Sequence, residues 1–257
     1  PTALEHQHKG YGIKIETQSD LTIDSAHLAN DIHFSGLAIA RTGHYGIWIK
    51  SLGLNQNDAF KNQFVTMESC DFDNTGGAGF VPNKSEFVLV ENCTFNHSGS
   101  SVDPRMWKRG SGMWPFDCRN VVAQHNHFLN AHGPIDSYGA HIDYGNENVV
   151  FQYNLSYNNE GGFVEILGDN INCGYRYNIS INDGYRIDPE GVHNGRTYNV
   201  SDYCGVNNAG CPSVGSFIYN NTIFIGDTIH PEIRIKPEIG ELHCYNNLLY
   251  CTPSGEE

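Results

Sequence analysis

Seven short segments of the chain share one pattern, and this repeat constrains the fold more than any other feature. In each segment a β-rich run leads to a polar residue, usually Asn, and an apolar or aromatic residue follows three positions later. The recurring polar column consists of Ser69, Asn92, Asn126, Asn154, Asn178, Asn221 and Asn247. Gly36 adds an eighth copy, 33 residues before Ser69. Repeats with periods of about 20–50 residues are typical of solenoids, propellers and arrays.

The spacing of the copies favours an all-β parallel β-helix of about eight coils. Neighbouring column residues are 23, 34, 28, 24, 43 and 26 positions apart, and most spacings fall short of the roughly 40–45 residues of a propeller blade. The copies lack amphipathic helices, which disfavours leucine-rich and helical repeats. The shortest spacings fit one coil of three short strands, and the longer ones then carry loop insertions. Like residues stack about 4.8 Å apart in such a coil, where Asn side chains can bond to one another.

Alignment on the Asn column predicts which side chains point inward. Two apolar or small columns are expected in the core: Phe80, Trp114, Ile142 and Ile166, and Ala78, Gly112, Ala140 and Val164. A column between them is expected to point outward: Gly79, Met113, His141 and Glu165, with Trp48 at the matching place of an earlier copy. One column further along are Val81, Pro115, Asp143 and Leu167. Functional groups are expected on this outward face, because rigid strands hold its polar side chains.

Composition excludes several classes of protein. The chain has 257 residues, a formal charge of −14 and 12% aromatic residues. The aromatic content argues against intrinsic disorder. The negative charge argues against a nucleic-acid partner, and the sequence has no apolar stretch of the roughly 20 residues that membrane insertion needs. Oligomeric state stays open at this point.

The repeat predicts a single β-helix domain over residues 1–257. The first copy is ragged, and only CTPSGEE follows the last one. Solenoids need caps at their open ends, and the sequence has no clear amphipathic capping helix. The chain is therefore either a piece of a longer protein or a solenoid whose caps are loops.

The stretch GAHIDYGNENVVFQYNLSYNNEGGFVEILGDNINCGYRYNISINDG, residues 139–184, resembles the right-handed parallel β-helix superfamily, which has pectate-lyase-like and glycosidase branches. The resemblance extends from about Leu21 to Tyr250. Within the superfamily the chain is most similar to secreted bacterial glycoside-hydrolase-like members that carry an FDxDxG or similar strand. That strand reads AHIDYG here, so His141 replaces one of the two family carboxylates. The resemblance implies a right-handed coil and polysaccharide degradation.

Four ionisable residues form the first candidate site. His141 and Glu165 are expected as axial neighbours on adjacent coils, with Asp143 on the same face and Asp136 in the loop just before it. Two carboxylates that flank a sugar can act as general acid/base and nucleophile in glycoside cleavage. We therefore expect Glu165 and Asp143 in these roles, with His141 and Asp136 assisting. The alternative is a polar outer face whose groups are all hydrogen-bonded.

Two inserted segments are expected to bind substrate. The insertion at residues 97–117 carries Arg105, Trp107, Lys108 and Arg109. Tryptophan faces stack on sugars, and cationic side chains bind carboxylate or sulfate groups. The segment at 182–195 contributes Tyr185, Arg186, Asp188, Glu190 and His193. The residues of this second segment could wall the cleft or bind a cation. The predicted glycan-binding set is Trp48, Arg105, Trp107, Lys108, Arg109, Tyr185 and Arg186, and the alternative for each segment is an ordinary surface loop.

The leading hypothesis is a secreted glycoside hydrolase acting on a polysaccharide or oligosaccharide. One alternative is a polysaccharide lyase that uses His141, Tyr185 or Arg186, with a calcium ion as an optional cofactor. Another is a non-catalytic carbohydrate-binding or tail-spike-like β-helix. Otherwise the sequence predicts no cofactor and no metal site, because His125 and His127 have weak spacing for zinc.

The cysteines favour a secreted, periplasmic or outer-surface location. Cys204 and Cys211 enclose a short loop and are expected to form a disulfide, which fits an oxidising compartment. Cys70 and Cys93 are expected to stack on adjacent coils as reduced thiols or a bridge. The remaining four cysteines are expected in the core: Cys118, Cys173, Cys244 and Cys251.

Overall fold

Short parallel strands stack in register along one axis in the computed structural model, which describes residues 10–16, 28–51, 61–187 and 193–252. Two sheets contain eight strands each, which confirms the predicted all-β parallel β-helix of about eight coils. The strands pair parallel throughout these ranges. The described residues form no α-helix, and so no helix among them could span a membrane. Parallel neighbours separated by one full coil are what a repeated three-strand turn produces.

The strands fall into three sides. The first long sheet contains β2 (Ile32–Ser35), β5 (Asn62–Glu68), β8 (Ser85–Glu91), β10 (Arg119–Gln124), β12 (Glu147–Gln152), β15 (Gly174–Arg176), β18 (Ser213–Tyr219) and β21 (Gly240–Tyr245). The second contains β3 (Ala38–Ala40), β6 (Asp71–Asp73), β9 (Thr94–Asn96), β11 (His127–Leu129), β13 (Leu155–Tyr157), β16 (Ile179–Ile181), β19 (Thr222–Ile225) and β22 (Leu248–Cys251). The third side has two short sheets, β1 (Ile13–Glu16), β4 (Ile47–Lys50), β7 (Phe80–Asn83), and β14 (Gly162–Ile166), β17 (Arg196–Val200), β20 (Glu232–Ile235).

The third side is interrupted at its middle. Isolated bridges, including Phe80–Met113, Met113–Ala140 and Ile142–Ile166, join β7 to β14 across two coils. Loop insertions enter the solenoid at these coils. The interruption contains His141 and Asp143 and borders Glu165 on β14.

A buried ladder of amides runs along the turn between the two long sheets. The backbone N–H of Asn126 donates to Asn154 Oδ1 at 2.9 Å, and Asn154 repeats this bond to Asn178 at 2.9 Å. Asn178 and Asn221 continue it, at 3.0 Å each, as far as Asn247. The predicted Asn stack is therefore confirmed for these five residues.

The first two copies were predicted one residue out of register. Cys70 and Cys93 hold the ladder position, and Cys93 N–H donates to Asn126 Oδ1 at 2.9 Å. Ser69 and Asn92 instead stand one place earlier, with φ of 52° and 55°. Asn tolerates this left-handed conformation as well as the ladder, so the sequence alone does not separate the two positions.

Two register errors moved the predicted columns. Phe80 pairs with Met113 at 33 residues rather than 34, and Met113 pairs with Ala140 at 27 residues rather than 28. Met113 is therefore fully buried with Ala140, and the prediction that it points outward is wrong. Trp114, predicted in the core, is half-buried and turns to the outer face.

The cysteines follow the prediction in part. Cys204 and Cys211 form a disulfide, and Cys118 and Cys173 are buried free thiols. Cys70 and Cys93 are also buried and free, with Cys70 N–H 3.4 Å from Cys93 Sγ. The prediction of buried thiols is wrong for Cys244 and Cys251, which are exposed. They lie on β21 and β22, the last strands of their sheets in the described ranges.

Candidate active site

One column of side chains runs along the third side through the interruption. Glu165 on β14 pairs with Asn199 on β17, which pairs with Arg234 on β20. The bridges Met113–Ala140 and Ile142–Ile166 place Trp114 and His141 on the two preceding coils of the same column. The predicted axial pairing of His141 with Glu165 is thus present.

The four predicted catalytic residues lie together. His141 Nδ1 is 3.4 Å from Glu165 Oε2, and His141 Nε2 is 3.8 Å from Asp143 Oδ2. Ligand-type atoms of Asp136, His141 and Glu165 all lie within 4.8 Å of one another. The imidazole therefore stands among three carboxylates.

The cluster is buried, whereas the sequence predicted an open outward face. His141 is 1% exposed and Asp136, Asp143 and Glu165 are 6–7% exposed. The indole of Trp114 packs against His141 with ring centroids 4.7 Å apart. The insertion at residues 97–117 brings Arg109 onto Asp136. The path of these covering segments is set by tertiary contacts, which the repeat pattern does not encode.

Three buried atoms of the cluster lack a hydrogen bond to any described residue: His141 Nδ1, His141 Nε2 and Glu165 Oε2. Buried polar atoms are almost always hydrogen-bonded, and exceptions concentrate at functional sites. Of Glu165, only Oε1 is satisfied, by the Asn199 amide at 2.8 Å. The unsatisfied atoms face one another within the cluster, where a substrate or a transferred proton would complete them.

The environment changes the proton affinity of the central pair. Burial lowers the pKa of His141, but the carboxylates of Glu165, Asp143 and Asp136 outweigh it and raise that pKa to about 9. Burial raises the pKa of Glu165 to about 7, against the opposing effect of His141. His141 is therefore an imidazolium at neutral pH, beside a carboxyl group that exchanges its proton in the same range.

The two aspartates are held by hydrogen-bond donors. Trp114 Nε1 donates to Asp143 Oδ2, and the backbone N–H of Tyr144 donates to Asp143 Oδ1 at 2.8 Å. Arg109 Nε donates to Asp136 Oδ2 at 2.6 Å. When all groups are ionised, the site has one net negative charge, because its three carboxylates face two cations, His141 and Arg109. A site with this imbalance readily accepts one proton.

The donor set is a poor fit for a metal ion. Asp136, His141 and Glu165 are close enough to share a cation, but Arg109 already occupies Asp136 Oδ2. A metal ligand must be a neutral imidazole, whereas the carboxylates here favour its protonated form. Calcium requires six to eight oxygen ligands, which these two carboxylates and an imidazole do not supply.

An aromatic wall extends from the cluster toward the first coils. Tyr45 connects it, with ring centroids 6.3 Å from Trp114, 5.8 Å from Trp107 and 5.7 Å from Trp48. The Arg109 guanidinium lies 5.3 Å from the Trp107 ring. The predicted residues Trp48, Trp107 and Arg109 are thus joined to the carboxylates by continuous ring contacts. Tyr45 meets the three indoles edge-on, at interplanar angles of 67–85°, and one face of Trp48 and one of Trp107 are already stacked on other rings. At most one face of each of these two indoles therefore remains for stacking on a sugar ring.

The other predicted binding residues lie differently. Arg105 has a 78% exposed side chain that pairs with Asp103 at 2.7 Å, and Lys108 is exposed with φ of 64°. Tyr185 is half-buried near Glu160, and burial raises its pKa. Asp188 and Glu190 lie outside the described residues.

Arg186 supports the loop that carries Asp136. Its guanidinium, 1% exposed, donates to Ile135 O and Gly133 O at 2.7 Å each and to Asp136 O at 3.1 Å. Ile135 has φ of 73°, which is strained for a β-branched residue. Arg186 therefore acts on the protein backbone in this structure, whereas the sequence predicted contact with substrate.

Sequence reasoning missed four residues of the site. Trp114 was misplaced because the coil that follows it is one residue shorter on the third side than in the Asn ladder, 27 residues against 28. Tyr45 stands in the HYGIW segment, of which only Trp48 is predicted to bind glycan. Asn199 lies within the 43-residue spacing and Arg234 lies beyond it, and the predicted columns extend to neither.

Two clefts lie away from the candidate site. One of about 500 Å³ is lined by residues that include Lys61, Asp117 and Tyr144, and one of about 410 Å³ includes Arg176 and Tyr245. Neither contains His141 or Glu165. The unsatisfied ionisable cluster, rather than cavity size, identifies the candidate site.

Comparison with known proteins agrees with the fold. The model of the right-handed β-helix region matches residues 6–223. A lacto-N-biosidase of Bifidobacterium longum subsp. longum is 31% identical over 122 residues, which is 45% of this chain and 6% of that protein. The predicted right-handed parallel β-helix is thereby confirmed.

Two crystal structures of the GH136 lacto-N-biosidase from Eubacterium ramulus share the fold. The native structure has a TM-score of 0.64 at 19% identity and covers 89% of this chain and 37% of that one. The selenomethionine derivative has a TM-score of 0.58 at 17% identity, covering 94% and 45%. This chain spans less than half the length of each of these relatives.

Proposed function

We propose that this chain, which belongs to the family of right-handed β-helix regions, is the catalytic β-helix of a glycoside hydrolase. The observation that carries the proposal is the buried group of three carboxylates around His141, continuous with an aromatic wall. Glycosidases typically hydrolyse the glycosidic bond with a pair of carboxylates, and aromatic rings beside them bind the sugar. The likeness to lacto-N-biosidases supports the same reaction class.

In this proposal Asp143 is the nucleophile or the base that activates water. Its oxygens accept from Trp114 Nε1 and Tyr144 N–H, which fix the carboxylate in one orientation. Glu165 is the acid/base residue, because its pKa of about 7 allows it to give and regain a proton near neutral pH. The proton goes to the glycosidic oxygen as the bond from the anomeric carbon to that oxygen breaks.

His141 and Asp136 assist these two groups. His141 lies between Glu165 and Asp143, so its positive charge stabilises both carboxylates. Asp136, held by Arg109, adds a negative charge beside the same imidazole. Positive charge that develops on the sugar ring in the transition state is stabilised by the excess negative charge of the site.

For the substrate, we propose an oligosaccharide that stacks on Trp48, Trp107 and Tyr45. A glycan that carries a lacto-N-biose unit is the first candidate, because the Bifidobacterium and Eubacterium relatives are named for that unit. Arg109, beside Trp107, would orient sugar hydroxyl groups at the end of the wall nearest the carboxylates.

Product analysis of purified protein tests the proposal. We expect a glycan that carries a lacto-N-biose unit, or another member of a panel of plant and algal polysaccharides, to yield a new reducing end. No ultraviolet-absorbing unsaturated sugar should appear. Unsaturated products would indicate a lyase instead. Binding without any cleavage, unchanged in Asp143→Asn, would indicate a carbohydrate-binding β-helix.

The geometry gives the lyase alternative less support. A lyase base must be able to accept a proton, but His141 is flanked by carboxylates that keep it protonated. Arg186 is buried under the loop at Asp136 with its donors bonded to backbone carbonyls. We therefore retain hydrolysis as the single proposed reaction.

We further propose that the protein works outside the cytoplasm. The Cys204–Cys211 disulfide supports an oxidising compartment. Cell fractionation with an antibody tests this, since we expect the protein in the medium, the periplasm or on the outer cell surface. Recovery mainly from the cytoplasm would contradict the proposal.

A further inference from the structure

The column that contains Glu165 continues for two more coils with polar side chains. Asn199 is 4% exposed, and its Nδ2 donates to Glu165 Oε1 at 2.8 Å. On the next coil, Arg234 Nη1 donates to Asn199 Oδ1 at 3.0 Å. The two bonds form a chain from a half-buried arginine to the buried carboxyl group.

The chemistry of arginine fixes the direction of both bonds. A guanidinium has five N–H donors and no acceptor. The Asn199 atom that faces Arg234 must therefore be the amide oxygen, so the amide nitrogen faces Glu165. That nitrogen can only donate, and Glu165 Oε1 must accept. A proton bound by Glu165 consequently belongs on Oε2, the oxygen 3.4 Å from His141 Nδ1.

We propose that Arg234 is a positioning residue of the candidate active site, which acts through the Asn199 amide to keep Glu165 Oε1 an acceptor and to leave Oε2, the oxygen beside His141, as the one that binds the proton. The kinetic consequence of this inference rests on the proposed hydrolase function, whereas its hydrogen-bond geometry does not. Arg234 needs no contact with substrate in this role.

Several other groups surround Glu165, and they do not replace Arg234. The titratable groups that act on it or feel its charge are His141, Asp136, Asp143, Tyr138 and Tyr175. Tyr175 OH contacts the backbone oxygen of Glu165 at 3.2 Å, not the carboxyl group. Among the described residues, Asn199 is the one hydrogen-bond donor to the carboxyl oxygens.

Loss of Arg234 frees the amide to rotate. A rotated Asn199 presents its oxygen to Glu165 and accepts a proton from Oε1, so the neutral carboxyl becomes more favourable. His141 then loses part of its anionic partner, and its own pKa falls. Asn199→Asp has a stronger effect in the same direction, because two adjacent carboxyl groups cannot both ionise easily.

The experiment follows His141 by NMR in protein labelled with ¹⁵N-histidine, with His141→Gln assigning the signal. We expect Arg234→Ala to lower the His141 titration midpoint by about one pH unit, a roughly tenfold change in proton affinity, and Asn199→Asp to lower it further. Arg234→Lys keeps a donor and should restore most of the midpoint. Lys236→Ala is the matched control, since it removes a neighbouring cation that bonds Asp202 instead.

A His141 midpoint that is the same in Arg234→Ala and Lys236→Ala would overturn the inference. If Arg234→Ala does not fold, the comparison of Arg234→Lys with Asn199→Asp decides, and equal midpoints again refute it. In kinetics, Arg234→Ala should move the pH limb that Glu165→Gln abolishes, with little change in KM. A shifted midpoint without any glycan cleavage would leave the positioning role intact and refute the hydrolase instead.

Discussion

Two columns of buried polar side chains run along this solenoid, and they differ in how completely they are hydrogen-bonded. In the amide ladder, Asn154 donates to Ala123 O at 2.9 Å and to Asn178 Oδ1, and its own oxygen accepts from Asn126. In the third-side column, both nitrogens of His141 and one oxygen of Glu165 have no such bond to a described residue. The hydrogen bonds of the first column are complete within the fold, whereas the second column keeps polar atoms to which a ligand could bond.

This difference distinguishes the column that stabilises the fold from the column proposed to carry out the chemistry. A saturated ladder stabilises the stack of coils and has no capacity left for another molecule. An unsaturated, charged column destabilises the fold locally and is ready to bind. Substitutions in the two columns should therefore affect different measurements.

The largest effect is expected for Asp143→Asn. Removal of the proposed nucleophile should lower kcat by about 10⁴-fold, equivalent to about 5 kcal/mol. The asparagine keeps one side-chain oxygen, so one of the two donors, Trp114 Nε1 or Tyr144 N–H, retains its acceptor. We therefore expect the fold to persist. Steady-state kinetics with circular dichroism measures both. Activity above a tenth of wild type would remove Asp143 from the reaction.

Glu165→Gln should lower kcat by about 10³-fold, because a general acid contributes about 10²–10⁴-fold. Asp136→Asn is the paired variant, since Asp136 lies beside the same imidazole. We expect the smaller loss for Asp136→Asn. The acid/base role would belong to Asp136 if Asp136→Asn caused the larger loss of kcat and if substrates with good leaving groups did not restore the activity of Glu165→Gln.

Asn154→Ala should affect stability instead of chemistry. It removes the acceptor of the Asn126 N–H and side-chain amide, so two buried donors lose their partner. The expected loss is about 3 kcal/mol in the free energy of unfolding, measured by urea denaturation. The folded fraction should keep wild-type kcat. A stable but inactive Asn154→Ala would contradict the separation of the two columns.

The pH dependence of stability should also distinguish the columns. The pKa of His141 is raised from 6.5 to about 9 and that of Glu165 from 4.5 to about 7. The folded protein therefore binds more protons than the unfolded chain, and stability falls as pH rises from about 5 to 9. At about 1.4 kcal/mol per pH unit, these shifts correspond to an expected loss of about 3 kcal/mol from each group.

Urea midpoints at pH 5, 7 and 9 test this dependence. The double variant His141→Gln, Glu165→Gln should lose most of the slope, whereas Asn154→Ala should keep it because Asn does not titrate. An unchanged slope in the double variant would show that other groups cause it.

The smallest effect is expected in an exposed counterpart of the ladder. Asn172 Nδ2 donates to Asn148 Oδ1 at 2.8 Å in solvent, at φ of 52°. Asn172→Gly keeps that backbone conformation and loses one exposed bond. We expect a change below about 1 kcal/mol. A loss as large as that of Asn154→Ala would mean that burial is not what makes the ladder stabilising.

The sequence was sufficient for the fold because the ladder Asn repeats in five consecutive coils, and the same geometry recurs in each. It was less informative at Cys70 and Cys93, where the ladder changes residue type, and at the coil after Trp114, whose register on the third side is one residue shorter than the ladder spacing. The candidate cluster could be predicted because Asp136, His141 and Asp143 are near in sequence and Glu165 is one coil away. Asn199 and Arg234 were missed because insertions of irregular length hide their register, and burial was missed because loop paths depend on tertiary contacts.

The backbone bonds of the third side have a consequence for motion. Between β7 and β14 the coils carry isolated bridges, but their amides are still bonded from coil to coil: Trp114 N–H donates to Phe80 O at 3.0 Å, and His141 N–H donates to Met113 O at 3.0 Å. Local opening requires more free energy where such ordered contacts must break. These amides should therefore exchange with deuterium about as slowly as those of β10 and β12. The backbone that bears His141 is thus fixed, and a glycan that enters the buried cluster must displace side chains rather than open the coils.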